Sequence, residues 1–326
     1  MVLKKLIKMN RGWVTDKIQP IALGLLTVAL WGSNPTVTKI GIAGVTPLQY
    51  AMLRAILASG FYILTLLVVS KNFMWAIRKL RFMDYIMLVA VGLLQTTVFF
   101  YALAVGVSYV PAGIAAVLVN TQPLFTVFFS VIIFKERLSL KAGLGIVVAF
   151  LCIPLVVIPQ LHGDANAKGF IILIIGAVAW SASILIFKRS VPRDFSPFFV
   201  AILQMWFGTT ALVLLTGIFS KVNFNAIPLA TEWSLLYTAT LGTCIPYTLW
   251  FFLLRRFQAS YISTFTFMIP VFGLFFGVIL LGEKLSPIQI LGVSGVIAGV
   301  MMVVLTPVKN NRSFLKREVP QVSKRL

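Results

Sequence analysis

One block of this sequence occurs twice. Moved by 147 residues without a gap, Ala112 falls on Ala259, Pro123 on Pro270 and Phe125 on Phe272. Phe128 and Phe129 fall on Phe275 and Phe276, Val131 and Ile132 on Val278 and Ile279, and Glu136, Leu138 and Ser139 on Glu283, Leu285 and Ser286. Apolar bias accounts for some of these identities, but not for the proline, the glutamate or the serine. Self-similarity at one long period marks a chain built from copies of a single folding unit. Upstream the copies agree more loosely. Trp31 and Lys39 align with Trp180 and Lys188 at a shift of 149, and Pro47 aligns with Pro197 at a shift of 150, which sets Arg54 opposite Gln204.

Composition decides what kind of unit is repeated. Of the 326 residues, 60 % are hydrophobic and 11 % charged, where soluble domains carry about 25 % charge. Apolar runs of about 20 residues recur, each long enough to cross the hydrocarbon as a helix. Ten spans are read, at 20–39, 48–70, 84–106, 111–134, 140–159, 169–187, 197–219, 233–254, 259–281 and 287–306. Gly44, Pro47, Pro111, Gly163, Pro197 and Pro287 mark the short connections. The chain then divides into a basic segment 1–19, a first five-helix repeat 20–159, a second 169–306 and a basic tail 307–326.

The net charge of +20 would suit a nucleic-acid partner, but its distribution points to lipid. With the N-terminus in the cytoplasm, 23 Lys and Arg fall on that side and four (Lys39, Lys168, Lys221, Lys284) on the other. The positive-inside rule then places both termini in the cytoplasm. Asp16 and Lys17 interrupt the first segment and no small-residue cleavage site precedes Pro20, so no cleaved leader is expected. Cys152 and Cys244, the two cysteines, both sit in apolar runs, which argues against a disulfide. Five spans per copy is an odd number, so the copies must cross the bilayer in opposite senses. The expected fold is an all-α integral membrane protein of the cell (plasma or inner) membrane: ten transmembrane helices as two inverted five-helix repeats, without a sizeable soluble domain.

A proline inside a spanning helix frees a carbonyl, and in hydrocarbon such a break persists only where protein buries it or water reaches it. Pro35, Pro123, Pro246 and Pro270 are the candidate breaks. Ser33, Asn34, Asn120, Gln122 and Thr266 cluster beside them, as do Trp31, Tyr101, Trp180 and Tyr247. Such a lining suits a flat or amphipathic solute, which is expected near the midplane. The competing reading makes the aromatic residues an interface belt. Arg54 is the one charge clearly inside a span, a costly placement that by default marks function, here as a carboxylate contact or a gate. Lys39, at a span end, is expected to extend to the headgroups, with a gating role as the alternative.

Glu136 and Glu283 close their helices on the connector side. Ser139 and Ser286 are expected to cap the following helices, with each glutamate accepting nearby N–H groups or pairing with Arg137 or Lys284; gating at the two faces is the alternative. Gly273 and Gly277, with Thr126 and Ser130 at the equivalent positions, have the spacing that lets helices approach closely. No Asp or Glu lies inside a span beyond Asp84, which opens the third, and His162, the single histidine, is in a loop, so a carboxylate or histidine proton relay is missing. No Walker loop, metal-ligand cluster or nucleophile–base set occurs. No cofactor, metal, catalytic residue or nucleic-acid partner is therefore expected; the partners are the bilayer and a small-molecule substrate, and the protein is expected to be a monomer.

Trp31-Gly32-Ser33-Asn34-Pro35 with Lys39, Pro47 followed by Arg54, and the paired Pro…Glu-Arg/Lys-Leu-Ser endings resemble the EamA-like branch of the drug/metabolite transporter superfamily, over residues 20 to 306. That resemblance implies ten helices in two inverted repeats and a carrier, often an exporter, of amino acids or other small metabolites. The expected activity is alternating-access export of small amphipathic metabolites, amino acids first. A multidrug exporter of lipophilic cations is the first alternative, and needs an accessible membrane carboxylate. A membrane enzyme acting on lipid-linked or phosphorylated substrates is the second, and needs an acidic pair at one face.

Overall fold

The structure, a computed structural model, describes residues 2–69, 77–78, 80–134, 139–160, 164–190, 197–219, 227–256 and 264–305. Among the described residues the chain forms ten helical segments and no strand. These are α1 Val2–Gly41, α2 Pro47–Val69, and α3, which passes from Phe82–Gly92 through a wide π-type turn at Leu93–Val98 into Phe99–Tyr109. Next come α4, Ala112–Val119 resuming as Gln122–Phe134, then α5 Leu140–Val157, α6 Asp164–Ser190 and α7 Pro197–Phe219. α8 passes from Leu229–Ala239 through a second wide turn at Thr240–Cys244 into Ile245–Arg256; α9 is Met268–Leu281 behind a 3₁₀ turn at Thr264–Phe267; α10 is Pro287–Val304.

Local chemistry accounts for several of these boundaries. Ser139 caps α5, its hydroxyl accepting from the Ala142 N–H at 3.1 Å, and Ser286 caps α10 by accepting from the Gln289 N–H at 3.3 Å. Three of the four expected proline breaks follow one rule. Pro123, Pro246 and Pro270 each lie in the first turn of a helix that has just resumed, where the missing N–H costs nothing. The interruption itself precedes them, at Asn120–Thr121, at the turn 240–244, and at the 3₁₀-to-α junction after Phe267. Pro35 corrects the expectation: α1 runs through it unbroken.

The 147-residue repeat reappears in these irregularities. The wide turns begin at Leu93 and Thr240, and the break at Asn120 matches the junction at Phe267, each pair 147 apart. Equivalent helices also pack in opposite directions. Gly292 of α10 lies against Leu155 and Val156 of α5, Gly295 against Cys152, and Gly299 against Ala149 and Gly145. As one number rises the other falls, so the two helices are antiparallel. α2 and α7 behave alike: Tyr62 meets Phe198 at 5.9 Å, while the Thr209 hydroxyl donates to the Ala55 carbonyl at 3.2 Å. Contacts exchange between copies as well, α1 packing on α9 as α6 packs on α4, and α3 on α6 as α8 on α1.

The exterior is apolar and the interior is where polarity collects. Leu64, Ile132, Leu151, Leu214 and Leu291 stand exposed, whereas Thr27, Thr36, Arg54, Ser181, Ser183 and Thr243 are buried. Contiguous apolar surface on this scale is foreign to a soluble monomer and suits lipid. Six helices are long and apolar enough to cross a membrane by length and composition: Pro20–Gly41, Pro47–Leu66, Phe82–Tyr109, Ala112–Ile133, Ala167–Phe187 and Phe198–Ile218. Leu140–Val156, Met268–Leu281 and Pro287–Met302 are apolar but shorter.

Close approach explains the small-residue pair of α9. Gly273 lies against Ala116, and Gly277 against the Gly113 N–H, both on α4, so the spacing serves packing within the chain. A Cβ at Gly273 would overlap that of Ala116, while one at Gly217 would meet nothing within 4 Å. Gly273→Ala is therefore expected to destabilise by about 1–3 kcal/mol through overpacking, and Gly217→Ala to be neutral or stabilising by up to about 1 kcal/mol through helix propensity. Thermal melts of both variants in one detergent check the difference, which comes from crowding alone.

Candidate functional site

A cavity of about 370 Å³ opens where the two copies meet. The first copy contributes Trp31, Gln95, Asn120, Gln122 and Pro123; the second contributes Trp180, Ile184, Phe187, Val200, Ala201, Gln204, Tyr247, Trp250, Thr266 and Ile269. A smaller cavity of about 50 Å³ shares Trp31, Asn120, Trp180, Tyr247 and Ile269 with it, and adds Asn34, Pro35, Arg54, Phe99, Phe100 and Gly242. A third of about 20 Å³ touches Asn120, Pro123, Thr266 and Pro270. The size of the main cavity is that of a small-molecule site, and its lining, mostly apolar with a few placed amides, has the usual make-up.

The wide turns build the polar part. An extra residue in a helical turn displaces the backbone and leaves a carbonyl open to other donors. Asn34 Nδ2 of α1 donates to the Gly242 carbonyl at 2.7 Å, and Ser183 Oγ of α6 donates to Gln95 Oε1 at 3.2 Å. Asn34 and Ser183 are equivalents at a shift of 149, Gln95 and Gly242 at 147, so both joins link equivalent positions, one through the Gly242 carbonyl and the other through the Gln95 side chain. Gln95 Nε2 in turn donates to the Tyr247 hydroxyl at 3.0 Å. Gln122 bonds Thr126, whose hydroxyl donates to Ser181 Oγ at 3.1 Å; Asn120 Nδ2 donates to the Ala116 carbonyl at 2.7 Å.

Aromatic rings form the walls. Trp31 meets Tyr247 edge-on at 5.4 Å and Trp250 at 5.4 Å, while Trp180 meets Phe99 at 4.9 Å. Arg54 is 3 % exposed. Its Nη2 donates to Thr243 Oγ1 at 3.0 Å and to Asn34 Oδ1 at 3.4 Å, and its guanidinium carbon lies 4.1 Å from the centroid of the Phe100 ring.

Among the residues singled out in the sequence, Trp31, Asn34, Arg54, Asn120, Gln122, Trp180, Tyr247 and Thr266 line these cavities. Ser33 does not: its hydroxyl bonds the Leu30 carbonyl and the Tyr237 hydroxyl, each at 2.8 Å, on the face of α1 that packs on α8. Tyr101 does not either. It is 43 % exposed, because Phe99 and Phe100 take the inward directions of α3 and the next residue turns about 100° away. Gln95, Gln204 and Trp250 line the main cavity without having been selected. A signal for Gln204 was present, since the repeat sets it opposite Arg54. Pro246 is buried and lines none of the three cavities described.

At one end of the bundle Glu283 corrects one expectation, its cationic partner. Gly282, at φ 64°, turns the chain out of α9, and the following carboxylate reaches the start of α4. It accepts from the Ala112 N–H at 2.5 Å and the Gly113 N–H at 2.9 Å. A carboxylate disfavoured at the end of its own helix thus serves the start of another, where the dipole favours it. Its cationic partner is Lys39 at 3.4 Å, while Lys284 is exposed. Lys39 also donates to the Val110 carbonyl at 3.0 Å. Glu136, Arg137 and His162 lie outside the described residues.

Comparison with known proteins agrees with this architecture. The sequence profile of the EamA-like transporter family matches residues 19–158 and 167–305, one match per copy. A probable amino-acid metabolite efflux pump of Salmonella typhimurium is 27 % identical over 85 % of this chain and 92 % of its own. The uncharacterized transporter YoaV of Bacillus subtilis is 27 % identical over 92 % and 99 %, and the uncharacterized inner membrane transporter YedA of Escherichia coli is 28 % identical over 85 % and 87 %. One solved crystal structure superposes with a TM-score of 0.61 at 15 % identity, over 88 % of this chain and 96 % of that one, which speaks to the fold. Two profile matches covering both copies, on a chain whose apolar surface faces outward, make this protein a multi-pass membrane transporter of the EamA-like transporter family.

Proposed function

We propose that the chain is a ten-span carrier, in two inverted five-helix repeats with both termini cytoplasmic, that exports small amphipathic metabolites, amino acids first, by alternating access. The observation that carries this reading is the position of the cavity. It lies on the seam between oppositely directed copies, with equivalent residues (Trp31 and Trp180) both lining it. Rocking one copy against the other opens such a seam to each side in turn. The name of the Salmonella typhimurium relative supports amino acids as the first solutes to test.

A carrier of lipophilic cations would place a carboxylate against its solute, and the cavity residues described include none. Proteoliposomes holding the purified protein are expected to show saturable counterflow of amphipathic amino acids. Counterflow of lipophilic cations alone would replace this reading with the multidrug one, and failure of every solute with folded protein would end it.

A further inference from the structure

The main cavity and the small one beside it differ in chemistry, and the difference points to which end of a solute is recognised. The small cavity is the one that Arg54 lines. Of the three guanidinium nitrogens, only Nη2 has a hydrogen-bond partner among the described residues, and Nε is buried without one. Its neutral neighbours do not balance the charge: Thr243 and Asn34 offer oxygens, and Phe100 offers a ring face. Among the described residues Lys39–Glu283 is the ion pair present, so no described carboxylate pairs with Arg54. Arginine does not shed its proton to escape this cost. A membrane-interior guanidinium left in that state is destabilised, which an incoming anion relieves by accepting from Nη1, the outer nitrogen left without a partner.

Among the described residues that line the main cavity, the opposite end of a zwitterion meets no carboxylate. The polar groups of the main cavity are amides and hydroxyls, and Gln95 already uses both ends, on Ser183 and Tyr247. Resting on the carrier reading above, we propose that the pocket at Arg54 is a carboxylate subsite without an ammonium counterpart. The substrate class is then small monocarboxylates with a flat apolar tail, the tail seated between Trp31, Trp180 and Tyr247. An α-amino group is tolerated and adds little.

Three compounds with one ring and one chain length test this: 3-phenylpropionate carries the acid alone, phenylalanine both groups, and 2-phenylethylamine the amine alone. Each is measured as a competitor of labelled 3-phenylpropionate counterflow in proteoliposomes. The two acids are expected to compete within about tenfold of each other and the amine at least about tenfold more weakly, as loss of a charge-assisted contact requires. Arg54→Gln is expected to erase the difference between acid and amine, and Arg54→Lys to keep part of it. Equal competition by the amine overturns the proposal, and so does phenylalanine competing far better than 3-phenylpropionate or moving when 3-phenylpropionate does not. If no solute moves, the carrier reading fails by itself. The subsite then stands or falls on whether 3-phenylpropionate raises the melting temperature of the parent protein and not of Arg54→Gln.

Discussion

Arg54→Gln is expected to lower the counterflow rate about a hundredfold while leaving the amount of protein in the membrane near the parent level. The two outcomes have separate causes. A charge-assisted contact is worth about 1.5–3 kcal/mol, and the upper end of that range corresponds to roughly a hundredfold in rate or affinity. Stability responds differently because Arg54 is 3 % exposed and has no described counterion. Taking such a charge out of the interior relieves desolvation rather than breaking an ion pair. Glutamine also retains a donor for Thr243, which Arg54 bonds at 3.0 Å. Flux in proteoliposomes and melting temperature in detergent, measured on the same preparation, separate the two. A melting temperature that falls in step with flux would make Arg54 a strut between α2 and α8 instead of a solute contact.

The second large effect is expected at the far end of the bundle. Glu283→Ala removes the acceptor of two N–H groups at the start of α4 and the partner of Lys39. Two buried donors lose their partner and a helix start loses its counter-dipole, a combined cost of about 2–4 kcal/mol. Glu283→Gln keeps one acceptor and is expected to lose about half as much. Lys39→Met should cost less than about 1 kcal/mol, because the Lys39 side chain is 33 % exposed and such pairs are screened. The order Ala, Gln, Met in melting temperature is the check. Should Lys39→Met prove as damaging as Glu283→Ala, the ion pair and not the helix cap would be the main contribution.

The all-helical architecture with an apolar exterior was legible because a 147-residue repeat in a hydrophobic chain leaves few arrangements. The cavity was legible where a polar, charged or aromatic residue falls well inside an apolar run: Trp31, Asn34, Arg54, Asn120 and Trp180 do so and line it. Direction was harder to read. Neighbouring residues on a helix point about 100° apart, so Phe100 faces Arg54 while Tyr101 faces outward. The wide turns compound this, since each shifts the register of everything after it and carries no composition that distinguishes it from an ordinary helix. Partners distant in sequence were harder still. Lys39 and Glu283 sit at ends of α1 and α9 that only the packing of the copies brings together, whereas Ser139 and Ser286 bond within three residues and follow from local pattern.

Side-specific labelling at two equivalent helix starts reads the central claim, that the copies face opposite sides across one cavity, most directly. Leu140 and Pro287 open α5 and α10 at positions 147 apart, and antiparallel packing separates them by about 25 Å at 1.5 Å per residue. In a background with Cys152 and Cys244 changed to alanine, single cysteines Leu140→Cys and Pro287→Cys are treated with a membrane-impermeant maleimide in sealed vesicles of known orientation. The account predicts that Pro287→Cys reacts from the outside and Leu140→Cys only in inverted vesicles. Reaction of both from the same side would contradict it.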